Sequence, residues 1–174
     1  LDAPPAGSPV LIVDRPSWCR ANTDGLRELM APIGQILRSK RPQQGAVPIR
    51  PVRADEWRRW RETRLRMLRD DADFFSTRYE DMVREPDTTW RDWVADAAEG
   101  GQKTLFVAEE DGRWLGVVGA FARVTPLEVQ LISMWVDPEA RGRGVARDLI
   151  RAVARWALGR GSTRVVLFVQ EANA

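Results

Sequence analysis

The chain contains no histidine, one cysteine and one tyrosine in 174 residues. Without histidine there is no Ser-His-Asp triad, no Cys-His pair and no His-ligated zinc or iron. Cys19 alone closes no intrachain disulfide and founds no multi-cysteine metal site. Any acid–base step is left to a carboxylate, a lysine, water or Tyr79. No apolar run approaches the ~20 residues of a membrane span. "PVLIVD" (9–14) is short, and it lacks the basic lead-in and small-residue cleavage site of a secretory signal. The expectation is a cytoplasmic protein without a metal.

The rest of the composition is that of a globular domain, with 44% hydrophobic and 30% charged residues and a net charge of +2. Arginine is unevenly placed. "RPVRADEWRRWRETRLRMLR" (50–69) carries eight arginines against three acids. That density admits a basic nucleic-acid-binding domain as one reading. The arginines are interleaved with Trp57, Trp60, Leu65, Met67 and Leu68 at helical spacing, which favours a solvated helix face.

Residues 1–46 read as an extension of unknown role, partly linker-like, opened by "LDAPPAGSP" and closed by "SKRPQQGAVP". One short amphipathic helix lies between them, interrupted near Pro32. A domain is expected over 47–174. "VPIRPVR" forms its first strand, and Asp55 caps a helix to about Arg69, with Trp57, Trp60, Arg64, Met67 and Leu68 on one side. A second helix is expected over Thr89–Ala98, ended by Gly100 and Gly101. Two strands flank Asp111-Gly112, a strong hairpin signal. In "LEVQLISMWVDP" strict alternation puts Glu128, Gln130, Ile132, Met134 and Val136 on one face, and Val129, Leu131, Ser133 and Trp135 on the other. A helix over Gly144–Leu158 faces Val145, Leu149, Ala152, Val153 and Trp156 inward. "TRVVLFVQ" is a buried strand, parallel to the one ending at Val136 because a helix joins them. The class is α/β (α+β), a mixed and mostly antiparallel sheet flanked by helices.

"VDPEARGRGVARDL" (136–149) places Gly142, Gly144 and Ala146 where that helix begins, although glycine is a poor helix former. A helix N-terminus has unsatisfied N–H groups and a partial positive charge, and small residues let the backbone approach an anion. Arg141, Arg143 and Arg147 add charge. No Lys-Ser/Thr pair follows as in a P-loop, and no G-x-G-x-x-G follows the first strand as in a dinucleotide fold.

Strand, R-x-x-G-x-A, amphipathic helix and buried strand together resemble the GNAT superfamily of N-acetyltransferases, whose signature is Q/R-x-x-G-x-G/A. Arg141, Gly142, Arg143, Gly144, Val145 and Ala146 fit it. "RETRLRMLRDDADFFST" is similar to the first helix and loop of bacterial small-molecule members. The resemblance implies acetyl-CoA as acyl donor, with its pyrophosphate on the backbone from Gly142 to Arg147. It implies that Met134, Trp135 and Val136 splay from the parallel neighbour to hold the pantetheine arm and the thioester carbonyl. Asn173 matches an asparagine that contacts the cofactor. An amine, on a small molecule or a protein N-terminus, would attack acetyl-CoA directly, with Glu128 as a base acting through water. Glu128 reads equally as a solvated residue at a strand start. Phe75 and Tyr79 belong either to a loop over the acceptor site or to the core.

Family members continue beyond such an asparagine into a further helix, bearing a tyrosine, and two more strands. The resemblance therefore implies a chain truncated at its C-terminal side, with "VVLFV" as an edge strand and a homodimer as one outcome. A non-catalytic acyl-CoA-binding module, or an inactive fragment of such an enzyme, is the alternative from a different class.

Overall fold

Asp111 and Gly112 both adopt positive φ, 49° and 73°, and join two strands whose pairing closes at Glu110 and Arg113. This two-residue turn of the I′ kind matches the strands' right-handed twist and closes the central hairpin, whose register then shifts once, between Glu109–Trp114 and Ala108–Gly116. The computed structural model describes residues 33–38, 46–72, 75, 77–122 and 127–167. In order these form α1 (Ile33–Arg38), β1 (Ile49–Pro51), a 3₁₀ turn (Ala54–Glu56), α2 (Trp57–Asp70), α3 (Tyr79–Met82) and α4 (Asp87–Glu99). There follow β2 (Lys103–Glu110), β3 (Arg113–Ala122), β4 (Glu128–Val136), a 3₁₀ turn (Pro138–Ala140), α5 (Val145–Gly159) and β5 (Arg164–Val166). The sheet runs β1-β2-β3-β4-β5, antiparallel except for the β4–β5 pair, as expected from the helix between those strands. Among the described residues no helix is long and apolar enough to cross a membrane.

Each face of the sheet carries its own apolar cluster. On one side Trp57, Trp60, Met67 and Leu68 of α2 and Trp90, Val94 and Ala97 of α4 pack on Leu105, Val107 and Val117. On the other, Val145, Leu149, Ile150 and Val153 of α5 pack on Val118, Ala120, Val129 and Leu131. Ile33 and Ile36 of α1 join this second cluster, and the Ile33 N–H donates to the Thr163 carbonyl at 3.2 Å. Residues 33–38 are thus packed on the sheet domain.

Several elements differ from the sequence reading. Asp55 does not cap α2; it lies exposed in the 3₁₀ turn, and Glu56 turns back to accept the Arg53 N–H at 2.9 Å. The longer side chain at 56 reaches the donor because the first turn is tightened to 3₁₀. The second expected helix starts at Asp87, two residues early, and α3 occupies a stretch to which the sequence reading assigned no helix. Gly100 ends α4 at φ 66°, the left-handed cap expected of glycine.

The larger correction concerns β4. Gly119 pairs with Ile132 and Val117 with Trp135, so Ser133 and Met134 together face Val118. This β-bulge, with Ser133 at φ 51°, breaks the strict alternation. Val129 and Leu131 share their cluster with Met134 and Val136, whereas Trp135 packs in the opposite cluster. Glu128 and Val136 therefore lie on opposite faces.

The arginines of the 50–69 segment are engaged within the fold. Arg50 bonds Glu56 and Glu109, Arg59 bonds Glu109 at 2.7 Å, and Arg58 lies over the Trp57 ring at 4.4 Å. Burial alone would raise the Glu56 carboxyl, but hydrogen bonds from Arg50 and the Arg53 N–H, with their charges, leave it below its ordinary 4.5. A depressed carboxylate contributes stability above its unfolded pKa and loses it as pH falls through the folded one. The urea midpoint should fall as pH is lowered below about 4.5, and the slope should shrink in Glu56→Gln. Ile36 is fully buried, so Ile36→Ala should cost roughly 2–5 kcal/mol in urea denaturation; a loss under ~0.5 kcal/mol would mean that α1 is not docked.

Candidate functional site

β4 delivers the chain to a turn built for backbone exposure. The Asp137 N–H donates to the Leu115 carbonyl at 2.9 Å, and the Asp137 carboxylate accepts from the Glu139 N–H at 3.0 Å. These bonds hold the strand end and start the Pro138–Ala140 turn. Gly142 and Gly144 then take φ 79° and 80°, a region that L-residues rarely occupy, and α5 begins at Val145. The first helical bond runs from the Asp148 N–H to the Gly144 carbonyl at 3.1 Å. Among the described residues no backbone carbonyl meets the N–H groups of Gly142 through Arg147 in good hydrogen-bond geometry. A Cβ on Gly142 would meet nothing within 4 Å, so that side of the turn is open. One on Gly144 would come within 2.8 Å of the Arg147 guanidinium.

The three arginines of the turn are each held by a carboxylate. Arg141 donates to the Val136 carbonyl at 3.3 Å and lies 3.8 Å from Asp71; Arg147 lies 3.4 Å from Asp148. Arg143 binds both oxygens of Glu110 at 2.7 and 2.9 Å, which holds its guanidinium above the ordinary arginine range. Charge is therefore close to the turn, while the unsatisfied donors belong to the backbone. Val145 is buried and Ala146 half-buried, consistent with structural roles for both side chains.

A second set of contacts ties the strand end to α2. The Trp135 indole N–H donates to Asp71 at 3.0 Å, and Arg66 lies 5.1 Å over the Trp135 ring while binding Asp137 at 2.9 Å. Met134, Trp135 and Val136 are all buried. The parallel β4–β5 ladder covers Glu128–Gln130 against Arg164–Val166, and no described residue pairs with Leu131–Val136 along that edge.

On the α2 and α4 side the bulge opens into a cavity of about 220 Å³. Trp60, Arg64, Thr77, Met82, Thr89, Trp90, Trp93, Ile132 and Ser133 line it. Trp60 and Trp93 stack at 5.3 Å between centroids and 16° between planes. Phe75 and Tyr79 line a neighbouring cleft of about 360 Å³ instead, with Thr77 common to both. Phe75 is buried beneath the Arg64 guanidinium at 4.8 Å, and Tyr79 is half-buried.

Glu128 sits at the far end of β4, on the same face as Ile132 but four residues earlier, or ~13 Å along the strand. It is paired with Arg164 at 3.3 Å. Asn173 lies outside the described residues.

Sequence reasoning missed the bulge and the tryptophan cavity. The bulge had a signal across the sheet. Glycine inside a strand marks a bulge or a close backbone approach, and β3 carries two. A Cβ at Gly119 would lie 2.9 Å from the Ile132 side chain, and one at Gly116 would lie 3.0 Å from the Trp135 carbonyl. The cavity had no such signal, since Trp60, Trp90 and Trp93 occupy ordinary core positions of two helices.

Known proteins are similar to this chain in sequence and in fold. Rat N-acetyltransferase 8 is 33% identical over 81 residues, 44% of this chain and 35% of its own length. Human N-acetyltransferase 8B is 37% identical over 67 residues, 36% of this chain and 30% of its own length. The chain thus spans about a third of the curated relatives it matches. In structure it is similar to the aminoglycoside N-acetyltransferase AAC(6')-Iy in complex with a CoA bisubstrate analogue, with a TM-score of 0.56, 23% identity, and 72% of this chain and 81% of that one covered. A predicted acetyltransferase from Clostridium acetobutylicum, solved with acetyl-CoA, gives 0.55 at 15% identity, covering 72% and 82%. At such identities these structures bear on the fold. The sequence profile of the acetyltransferase (GNAT) family matches residues 54–174, and the chain belongs to that family.

Proposed function

We propose that this protein is an acetyl-CoA-dependent N-acetyltransferase that passes the acetyl group directly to an amine. One observation carries the reading. A row of backbone N–H groups without a backbone acceptor, at and beyond two left-handed glycines, lies one short turn after a strand that bulges beside a cavity. Such a row at a helix N-terminus suits a pyrophosphate. The structural neighbours solved with CoA or acetyl-CoA, and the family match, support the same donor.

In this reading the donors from Gly142 to Arg147 hold the pyrophosphate, and Asn173 adds a further contact. The backbone of Met134, Trp135 and Val136 borders the thioester and supplies a donor to the oxyanion of the tetrahedral intermediate. Ile132 and Ser133 bring the cavity, and the amine in it, to the same stretch of strand. Glu128, about 13 Å along the strand from Ile132, takes one proton from the ammonium through a chain of waters rather than by direct contact. The nitrogen–carbon bond forms, the carbon–sulfur bond breaks, and the second nitrogen proton leaves with the sulfur. Phe75 and Tyr79, in the adjoining cleft, border the acceptor's outer part. The acceptor is a small-molecule amine or a protein N-terminus. No covalent enzyme intermediate is invoked, since histidine is lacking and Cys19 precedes the family match.

A second reading, in which the chain binds acyl-CoA without turning it over, draws on the pairing of Glu128 with Arg164. Glu128→Gln separates the two. Turnover should fall at least tenfold, with acetyl-CoA affinity unchanged in calorimetry; unchanged turnover would remove Glu128 from the mechanism. Gly144→Asp places a carboxylate and a strained φ in the cradle, and acetyl-CoA affinity should drop at least a hundredfold while the far-ultraviolet spectrum is retained. Equal affinity in this variant would move the pyrophosphate elsewhere.

A further inference from the structure

We infer that the tryptophan cavity selects an amine carried on a flat apolar body and discriminates against polycations. The inference rests on the proposal that this cavity holds the acetyl acceptor.

The walls are three indoles, the Met82 thioether and Ile132, and Trp60 and Trp93 form a stacked pair rather than isolated rings. Among the described residues the cavity lining includes no carboxylate, and its one charged side chain is Arg64, which is buried. Lys103, over the Trp93 ring, is itself paired with Asp96 at 2.7 Å. A polyamine needs a counter-charge for each ammonium removed from water, since an unpaired buried charge is strongly disfavoured. A single ammonium at the bulge needs only the strand backbone and indole faces, which attract a cation. The rest of such a molecule can be an aryl or alkyl group lying against the indoles, where apolar area is covered and offset stacking adds to it.

The probes are 2-phenylethylamine and spermidine, titrated by calorimetry into the full chain saturated with CoA, alongside a control titration of acetyl-CoA. The expected result is at least tenfold tighter binding of 2-phenylethylamine, a loss of at least tenfold of that affinity in Trp93→Ala, and unchanged acetyl-CoA affinity. Thr89 is exposed on the first turn of α4, a helix-compatible place for an acid. Thr89→Glu adds a carboxylate at the cavity edge without touching the core and should shift preference toward spermidine at least threefold. Spermidine binding the parent as well as 2-phenylethylamine, or neither amine binding while acetyl-CoA does, would overturn the inference and leave the acetyltransferase reading standing. Failure of acetyl-CoA to bind would overturn that reading and the inference with it.

Discussion

The β4 bulge is the constraint on which the site depends. A regular strand from Glu128 to Val136 would send Ser133 toward the same face as Val129 and Leu131, and Met134 and Val136 away from it. By setting two residues against Val118, the chain returns Met134 and Val136 to the α5 side and sends Trp135 to the α2 side. Holding Ser133 at φ 51° costs roughly 1–2 kcal/mol. That cost is offset by burial on both faces, where Met134, Trp135 and Val136 are each at most 3% exposed. Strain of this kind persists where the surroundings over-determine it, and here it lies between the cavity and the glycine turn.

Everything near the bulge is arranged around that change of face. Gly116 and Gly119 leave room for the strand to come close. Asp71 accepts from Trp135 and attracts Arg141, so the end of α2, the bulged strand and the glycine turn are held as one unit. Arg66 binds Asp137 from the same side. The glycine turn and the tryptophan cavity thus meet over only a few residues of one strand, as the proposed direct transfer between two bound molecules requires.

Much of this was legible in the sequence. The Asp111-Gly112 turn, the buried face of α2, the parallel last strand and the glycines at the start of α5 follow from local rules of turn chemistry, period and capping. The helix start at Asp55 failed because a glutamate one residue later reaches back further. The alternation in β4 failed because a bulge is decided by the neighbouring strand, and its clue was in Gly116 and Gly119 rather than in β4 itself. The cavity was illegible for a different reason. Stacking of Trp60 on Trp93 comes from two helices, α2 and α4, with α3 between them in the chain, and nothing in either helix marks its tryptophans as lining a space.

The most direct test of the account is an amide nitrogen–proton correlation spectrum of the chain titrated with CoA. The largest shifts should fall on the backbone N–H groups of Gly142 through Arg147 and on those of Ser133 to Val136, with the far ends of α2 and α4 unmoved. Shifts confined to the arginine-rich face of α2, with the glycine turn unchanged, would contradict it.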